Sequence, residues 1–168
     1  LAARSPVIDA VMDHAARGGA VMGVCNGFQI LLETGLLPGV LLKNAGLKYI
    51  CRNVTVDVCD TIDSPFTQNL ETGTRLTMPV AHNEGNYFVG EDELARLNDN
   101  GQIAFRYTDG SAHGPANPNG SSLNIAGIVS ANGRVMGMMP HPERAISPEL
   151  GGSDGATLLQ GCLEALAS

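Results

Sequence analysis

Positive charge is scarce in this sequence. Ten lysines and arginines stand against seventeen aspartates and glutamates, for a formal net charge of -7 over 168 residues. They form no Lys/Arg cluster, which argues against a nucleic-acid partner or an anchor on anionic membranes and suits a small electronegative enzyme. Long apolar runs are missing too: none reaches the roughly 18 residues of a membrane span. The opening Leu1-Ala2-Ala3-Arg4-Ser5-Pro6 lacks the apolar core of a signal peptide. The four cysteines, Cys25, Cys51, Cys59 and Cys162, are spread out with no Cys-x-x-Cys pair, which argues against a disulfide framework and against a zinc site. No internal repeat or low-complexity tract is visible. These absences predict a reduced, cytoplasmic protein with no metal, and a single domain over 1–168 that is long enough to bury one core. The first residue is not Met, and a helix begins almost at once, so the sequence reads as the remainder of a longer one.

What is present centres on Ala20-Val21-Met22-Gly23-Val24-Cys25-Asn26-Gly27-Phe28-Gln29-Ile30-Leu31-Leu32. Apolar residues up to Val24 predict a strand buried on both faces, and Phe28, Ile30, Leu31 and Leu32 predict a helix packed on a sheet. Between them lies Gly-x-Cys-x-Gly. Glycines on both sides of a nucleophile allow a tight strand-to-helix turn and a close backbone approach, as in the Gly-x-Ser-x-Gly elbow. A helix starting just after Cys25 would aim free N–H groups at the sulfur and favour the thiolate. A buried structural cysteine is the alternative.

Around this unit, Ser5 and Pro6 start a helix carrying Val7, Ile8, Val11, Met12 and Ala15, which Gly18-Gly19 stops. The helix after Cys25 ends near Gly35, ahead of a turn at Leu36-Leu37-Pro38-Gly39. Val54, Val56 and Val58 alternate with polar neighbours as in a half-exposed strand, with Cys51 and Cys59 as packing residues. Further strands are predicted from Arg75 to Ala81 and from Ile103 to Tyr107, with a short helix from Glu91 to Leu97. Residues 110–122 form a Gly/Pro/Asn/Ser-rich loop, either a lid or a packed surface loop. Asn132-Gly133 predicts a hairpin between Ile125–Val129 and Arg134–Met138, because both central residues of the tightest turn take positive φ. A last helix carries Leu158, Leu159, Cys162, Leu163 and Leu166 on one broad face. The pattern predicts an α/β fold: an open, mostly parallel sheet flanked by helices, with an added antiparallel hairpin region. In such sheets the site lies at the carboxyl ends of the strands, which places Cys25 and His141 on one edge.

A cysteine nucleophile needs a histidine to take its proton and a third group to hold the imidazole. His141 sits between Pro140 and Pro142, with Glu143 two residues on and pointing the same way in an extended segment. A solvated proline-rich turn would read the same in isolation. His82 with Glu84 offers too few ligands for a metal site and suits a structural or substrate-loop role. His14 lies within the first helix, facing solvent or packed, and His113 lies in the loop without support for a role. Gln29 shares the face of the first helical turn with Cys25, although a surface glutamine would look alike.

Gly23-x-Cys25-x-Gly27-x-Gln29 followed by His141-Pro142-Glu143 resembles the class I glutamine amidotransferases. That resemblance implies a flavodoxin-like fold and a Cys25, His141, Glu143 triad that releases ammonia from glutamine. It also implies that Gln29, together with Gly23, Asn26 and Gly27 around the elbow, binds substrate, with the Asn26 N–H as half of an oxyanion hole. Cys25-Asn26-Gly27-Phe28-Gln29-Ile30-Leu31, Pro79-Val80-Ala81-His82, Asn117-Pro118-Asn119-Gly120-Ser121 and the run from Gly137 to Arg144 are more narrowly similar to a subfamily serving de novo purine synthesis. There the ammonia passes to a separate synthetase subunit that uses ATP and Mg, in a complex that includes a small accessory subunit. The resemblance implies no cofactor in the glutaminase subunit itself. Asn83 stands where the family usually has glycine, at a turn that Asn tolerates. Family members also carry, upstream of the region matching Leu1, a first strand, a helix and a glycine-pair loop that gives the second oxyanion donor. Two alternatives remain: a thiol hydrolase of γ-glutamyl amides, and a catalytically weak binding subunit without its oxyanion loop.

Overall fold

A computed structural model describes residues 5–109 and 116–167. The elements run α1 (Pro6–Ala16), β1 (Val21–Val24), α2 (Asn26–Glu33), β2 (Val40–Lys43), β3 (Ile50–Val58), β4 (Arg75–His82), β5 (Glu84–Phe88), α3 (Glu91–Asp99), β6 (Ile103–Thr108), β7 (Ile125–Val129), β8 (Val135–Met138) and α4 (Asp154–Ala167). Six strands form one sheet in the order β1-β8-β7-β6-β3-β4, and β2 pairs with β5 in a separate ribbon.

Strand β8 shows how the layers are built, because successive side chains of a strand leave on opposite faces. Met136 and Met138 enter a core with Val54, Met78, Phe105, Leu158 and Cys162, which brings α4 onto that face. Val135 and Met139 enter a second core with Phe28, Leu31, Leu97 and Ile128, which brings α2 and α3 onto the other. Gly137 shares this second face, where a methyl group would collide with the Phe28 ring. Phe28 in turn stacks on Tyr87 with ring centroids 5.7 Å apart. Helix α2 is thereby pressed against the carboxyl end of the sheet.

The α/β class, the flanking helices and the hairpin region match the sequence reading, but the sheet is mixed rather than mostly parallel. Among the described residues only β1 and β8 pair parallel; β3–β4, β3–β6, β6–β7 and β7–β8 are antiparallel. Parallel neighbours need a crossover, whereas a chain that doubles back through short connections pairs antiparallel. Strand β1 is half-buried except at Gly23, not buried on both faces, since among the described residues it pairs with β8 alone. Strands β2 and β5 were not expected: β2 buries no residue, and β5 buries only Gly85 and Tyr87 between the exposed Glu84 and Phe88, too short an alternation to read in Glu84-Gly85-Asn86-Tyr87-Phe88.

Other differences are local. Helix α1 buries only Ala15 and leaves Val7 69% exposed. In α4 the broad apolar face narrows to Gly155, Leu158, Gly161 and Cys162, with Leu163 and Leu166 outside it. Small residues at 155 and 161 let the helix sit close, so the packed stripe follows the glycines rather than the leucines. Cys51 is exposed and does not pack, while Cys59 is half-buried. In the hairpin only Gly133 takes positive φ, at 68°. Asn132 acts through its side chain instead, its Oδ1 accepting from the Ser130 hydroxyl at 2.7 Å and from the Arg134 N–H at 3.1 Å. Of the 110–122 loop, 110–115 and with them His113 lie outside the described residues.

Candidate active site

The parallel pairing of β1 with β8 aligns Val24 with Met138, so both strands end at the same edge. The next residue after β1 is Cys25, whose N–H donates to the Met138 carbonyl at 2.9 Å. Cys25 then turns at φ 52°, ψ -105°, and α2 begins at Asn26. Such a backbone is strained for a residue with a side chain, at a cost of about 1–3 kcal/mol, and the surrounding packing must impose it. Gly23 is one such imposition: a Cβ there would lie 2.5 Å from Leu31 Cδ1 and 2.7 Å from the Gly27 carbonyl carbon. Gly27 differs from expectation, because a Cβ at that position would meet nothing within 4 Å. A side chain at 27 would therefore project into open space, and its absence is not needed for the close approach of backbone.

Beyond Met138 the chain passes Met139 and Pro140 to His141, whose N–H donates to the Pro79 carbonyl of β4 at 2.8 Å. The imidazole Nδ1 lies 2.6 Å from Glu143 Oε1. Since a carboxylate only accepts, the shared proton is assigned to Nδ1, leaving Nε2 as the basic nitrogen. That Nε2 is buried and has no hydrogen-bond partner among the described residues. Glu143 reaches the ring from a 3-10 turn, Pro142–Arg144, and not from the extended segment that the sequence suggested. Helix α4 braces this turn. A methyl at Gly155 would strike the Pro142 carbonyl, the Ala156 N–H donates to Ala145 O at 3.2 Å, and Asp154 Oδ2 accepts from the Thr77 N–H at 2.7 Å.

Cys25 and His141 face a common cavity of about 480 Å³ that Asn26 and Gln29 also line. Gly23 is buried beneath the elbow, and Glu143 stands behind the imidazole. The thiol sits 3.8 Å from the Ala81 carbonyl and donates to it. Burial pushes the Cys25 thiol above its ordinary range; the Asn26 N–H and the Arg144 guanidinium pull it back, and Glu143 pushes it up again. The expected thiolate is therefore not the resting state, because desolvation outweighs the helix terminus. The Gln29 amide donates to Glu33 Oε1 at 2.9 Å on the helix surface.

His82 is built in more firmly than the sequence indicated. It is 4% exposed, with Nδ1 3.0 Å from Asn44 Oδ1 and Nε2 3.5 Å from Asn119 Nδ2. Asn44 Oδ1 also accepts from the Gly85 N–H at 3.1 Å, and Asn119 Nδ2 donates to the Tyr107 hydroxyl at 3.2 Å. Burial, reinforced by His141, lowers the His82 pKa to about 4, so the ring is neutral and bridges two asparagines. Asn44 and Asn119, both fully buried, were missed as site supports because an asparagine in a turn normally signals only the turn. Tyr49 and Arg144 were likewise not singled out, though both line the cavity. His14 is exposed on α1, its ring lying over Gly19. Among the described residues no group of three or more His, Cys, Asp or Glu side chains is placed to hold a metal ion. No helix among them is long and apolar enough to cross a membrane.

Comparison with known proteins bears on this arrangement. A model of the CobB/CobQ-like glutamine amidotransferase domain matches residues 1–150. The chain is 52% identical over 167 residues to the phosphoribosylformylglycinamidine synthase subunit PurQ of Cereibacter sphaeroides, covering 99% of this chain and 72% of that protein. It is 50% identical over 168 residues to the subunit of the same name from Roseobacter denitrificans, covering 100% and 72%. The structure of PurLQS from Thermotoga maritima superimposes with a TM-score of 0.84 at 39% identity, over 98% of this chain and 70% of that one.

Proposed function

The chain belongs to the CobB/CobQ-like glutamine amidotransferases and, among them, to the PurQ family, and from that membership we propose that it is the glutaminase subunit of phosphoribosylformylglycinamidine synthase. It hydrolyses glutamine and supplies the ammonia to a synthetase subunit of de novo purine biosynthesis. ATP and Mg are used by that synthetase subunit, and a small accessory subunit completes the complex. The observation that carries the chemistry is a buried, unpartnered His141 Nε2 on the same cavity as Cys25, with Nδ1 held 2.6 Å from Glu143.

In the proposed cycle, His141 Nε2 takes the Cys25 proton and the sulfur attacks the side-chain amide carbon of glutamine. Negative charge develops on the amide oxygen, and the Asn26 N–H at the start of α2 donates to it. One such donor is worth roughly 10²- to 10³-fold in rate. The imidazolium, stabilised by the Glu143 carboxylate, returns its proton to the departing nitrogen, so ammonia leaves and a γ-glutamyl thioester remains. Water, deprotonated by the same Nε2, attacks the thioester carbonyl; glutamate leaves and the thiol is restored. Gly23 holds the elbow closed, Gly27 leaves room for the substrate amide beside the sulfur, and Gln29 turns from Glu33 to the bound glutamine. A thiol pKa raised by burial fits this cycle, because the proton leaves to His141 as the sulfur attacks and no resting thiolate is needed.

The test is to quench the complex in acid during turnover and weigh the peptide containing Cys25. A glutamyl adduct on Cys25 that hydroxylamine removes is expected. Steady turnover with no adduct on Cys25, under conditions where thioester hydrolysis limits the rate, overturns the assignment of the nucleophile.

A further inference from the structure

Glutamine reaches the sulfur as a zwitterion. Its α-ammonium and α-carboxylate lie two methylenes from the amide carbon, so they enter the same cavity as the reacting group. Buried or half-enclosed charges need partners of opposite sign, and the proposed catalytic groups supply none. Cys25 and His141 are occupied with the amide, and the Glu143 carboxylate is occupied with the His141 ring.

Two other side chains on the cavity wall carry charge. Among the described residues Arg144 is the only Lys or Arg lining it and Glu84 the only carboxylate. His82 offers no positive charge at neutral pH, since burial lowers its pKa to about 4. The two come from different elements. Arg144 closes the 3-10 turn after His141, and Glu84 opens β5 just past the β4 residue His82. Arg144 Nε lies 3.7 Å from Glu143 Oε1, and among the described residues its terminal nitrogens make no hydrogen bond. The Glu84 carboxylate has no hydrogen bond or ion pair among them either.

We infer that Arg144 and Glu84 recognise the amino-acid end of the substrate, Arg144 binding the α-carboxylate and Glu84 the α-ammonium. The inference rests on the glutaminase reading given above and adds two specificity-determining residues to it. Together they make the cavity selective for a free amino acid carrying both charges, as opposed to a γ-amide within a peptide or a simple carboxamide.

The experiment compares three amides in the complex with its synthetase: glutamine, glutaramate (no α-ammonium) and 4-aminobutanamide (no α-carboxylate). Wild type is expected to prefer glutamine over either analogue by about tenfold or more in kcat/KM, the usual scale for a charge-assisted contact. Arg144→Met is expected to collapse the preference over 4-aminobutanamide to about twofold while that over glutaramate persists, and Glu84→Gln to do the reverse. Using ratios removes any general loss, including an effect of Arg144 on the Cys25 thiol, because that acts on all three amides alike. Both side chains are exposed, so the variants are expected to fold as wild type does. If both variants hydrolyse glutamine and retain both preferences, this inference falls and the glutaminase reading stands. If the wild-type complex hydrolyses none of the three, the glutaminase reading falls and takes the inference with it.

Discussion

The Cys25 N–H donates to the Met138 carbonyl at 2.9 Å, which fixes the proposed nucleophile to the strand that delivers the proposed base. Cys25 and His141 are 116 positions apart in the chain, yet this bond and the Val24 to Met138 register leave each just past the end of its strand. The elbow and the Pro-His-Pro turn are thus one structure, and errors in either displace both.

Gly23 and Gly27 flank Cys25 symmetrically in sequence and are expected to respond oppositely to alanine. Gly23→Ala forces a methyl into Leu31 and the Gly27 carbonyl and should destabilise by about 1–3 kcal/mol, the usual range for overpacking. Gly27→Ala meets open space within α2 and should leave stability unchanged or raise it by about 0.5–1 kcal/mol through helix propensity, while weakening glutamine use. Thermal unfolding of the two variants checks the contrast. A loss at Gly27 as large as that at Gly23 contradicts the geometry.

Glu143 acts on His141 through one short contact, 2.6 Å between Oε1 and Nδ1. Glu143→Gln keeps the shape but lets the amide nitrogen face Nδ1, which favours the tautomer with the proton on Nε2. The expected loss in kcat is roughly 10²- to 10⁴-fold with little change in KM. Single-turnover measurements in the complex check it, and an unchanged kcat excludes Glu143 from its proposed role.

His82 sets a pH window for stability. Its folded pKa, about 4, lies below the ordinary histidine value of about 6.5. Between these values the unfolded chain binds more protons than the folded one, so stability is full above pH ~6.5 and is lost as pH falls toward 4, with a slope approaching about 1.4 kcal/mol per pH unit for this group. Urea unfolding at a series of pH values checks this. His82→Gln is expected to be less stable at neutral pH and to show a shallower slope across the window, and an unchanged slope contradicts the buried neutral ring.

The Cys25 thiol, pushed up by burial and held at the Ala81 carbonyl, should alkylate slowly at neutral pH when no glutamine is added. Its iodoacetamide rate should still be climbing at alkaline pH where an unperturbed thiol has levelled off. Fast alkylation at neutral pH, flat with pH, shows a resting thiolate and refutes the role assigned to burial.

Much of the site was legible because its signals are local. Gly-x-Cys-x-Gly at the junction of an apolar strand and an apolar helix specifies an elbow, and a histidine between prolines with a carboxylate two residues on specifies a fixed imidazole. What could not be read depends on contacts between distant segments. Burial around Cys25 comes from elements remote in sequence, and it reverses the pKa shift expected from the helix terminus alone. Asn44 and Asn119 look like turn residues until the fold places His82 between them. The sheet was expected to be mostly parallel because helices bracket the chain, whereas strand order follows from the short connections in its middle. In α4 the leucine pattern suggested a face that Gly155 and Gly161 then narrowed.

The central claim is that Cys25 releases ammonia from glutamine for a synthetase to use. The most direct measurement compares the complex carrying Cys25→Ala with wild type, supplying nitrogen either as glutamine or as ammonium salt. The account predicts that the variant loses glutamine-dependent formation of phosphoribosylformylglycinamidine and keeps ammonia-dependent formation near the wild-type rate. Glutamine-dependent formation that survives in the variant would contradict it.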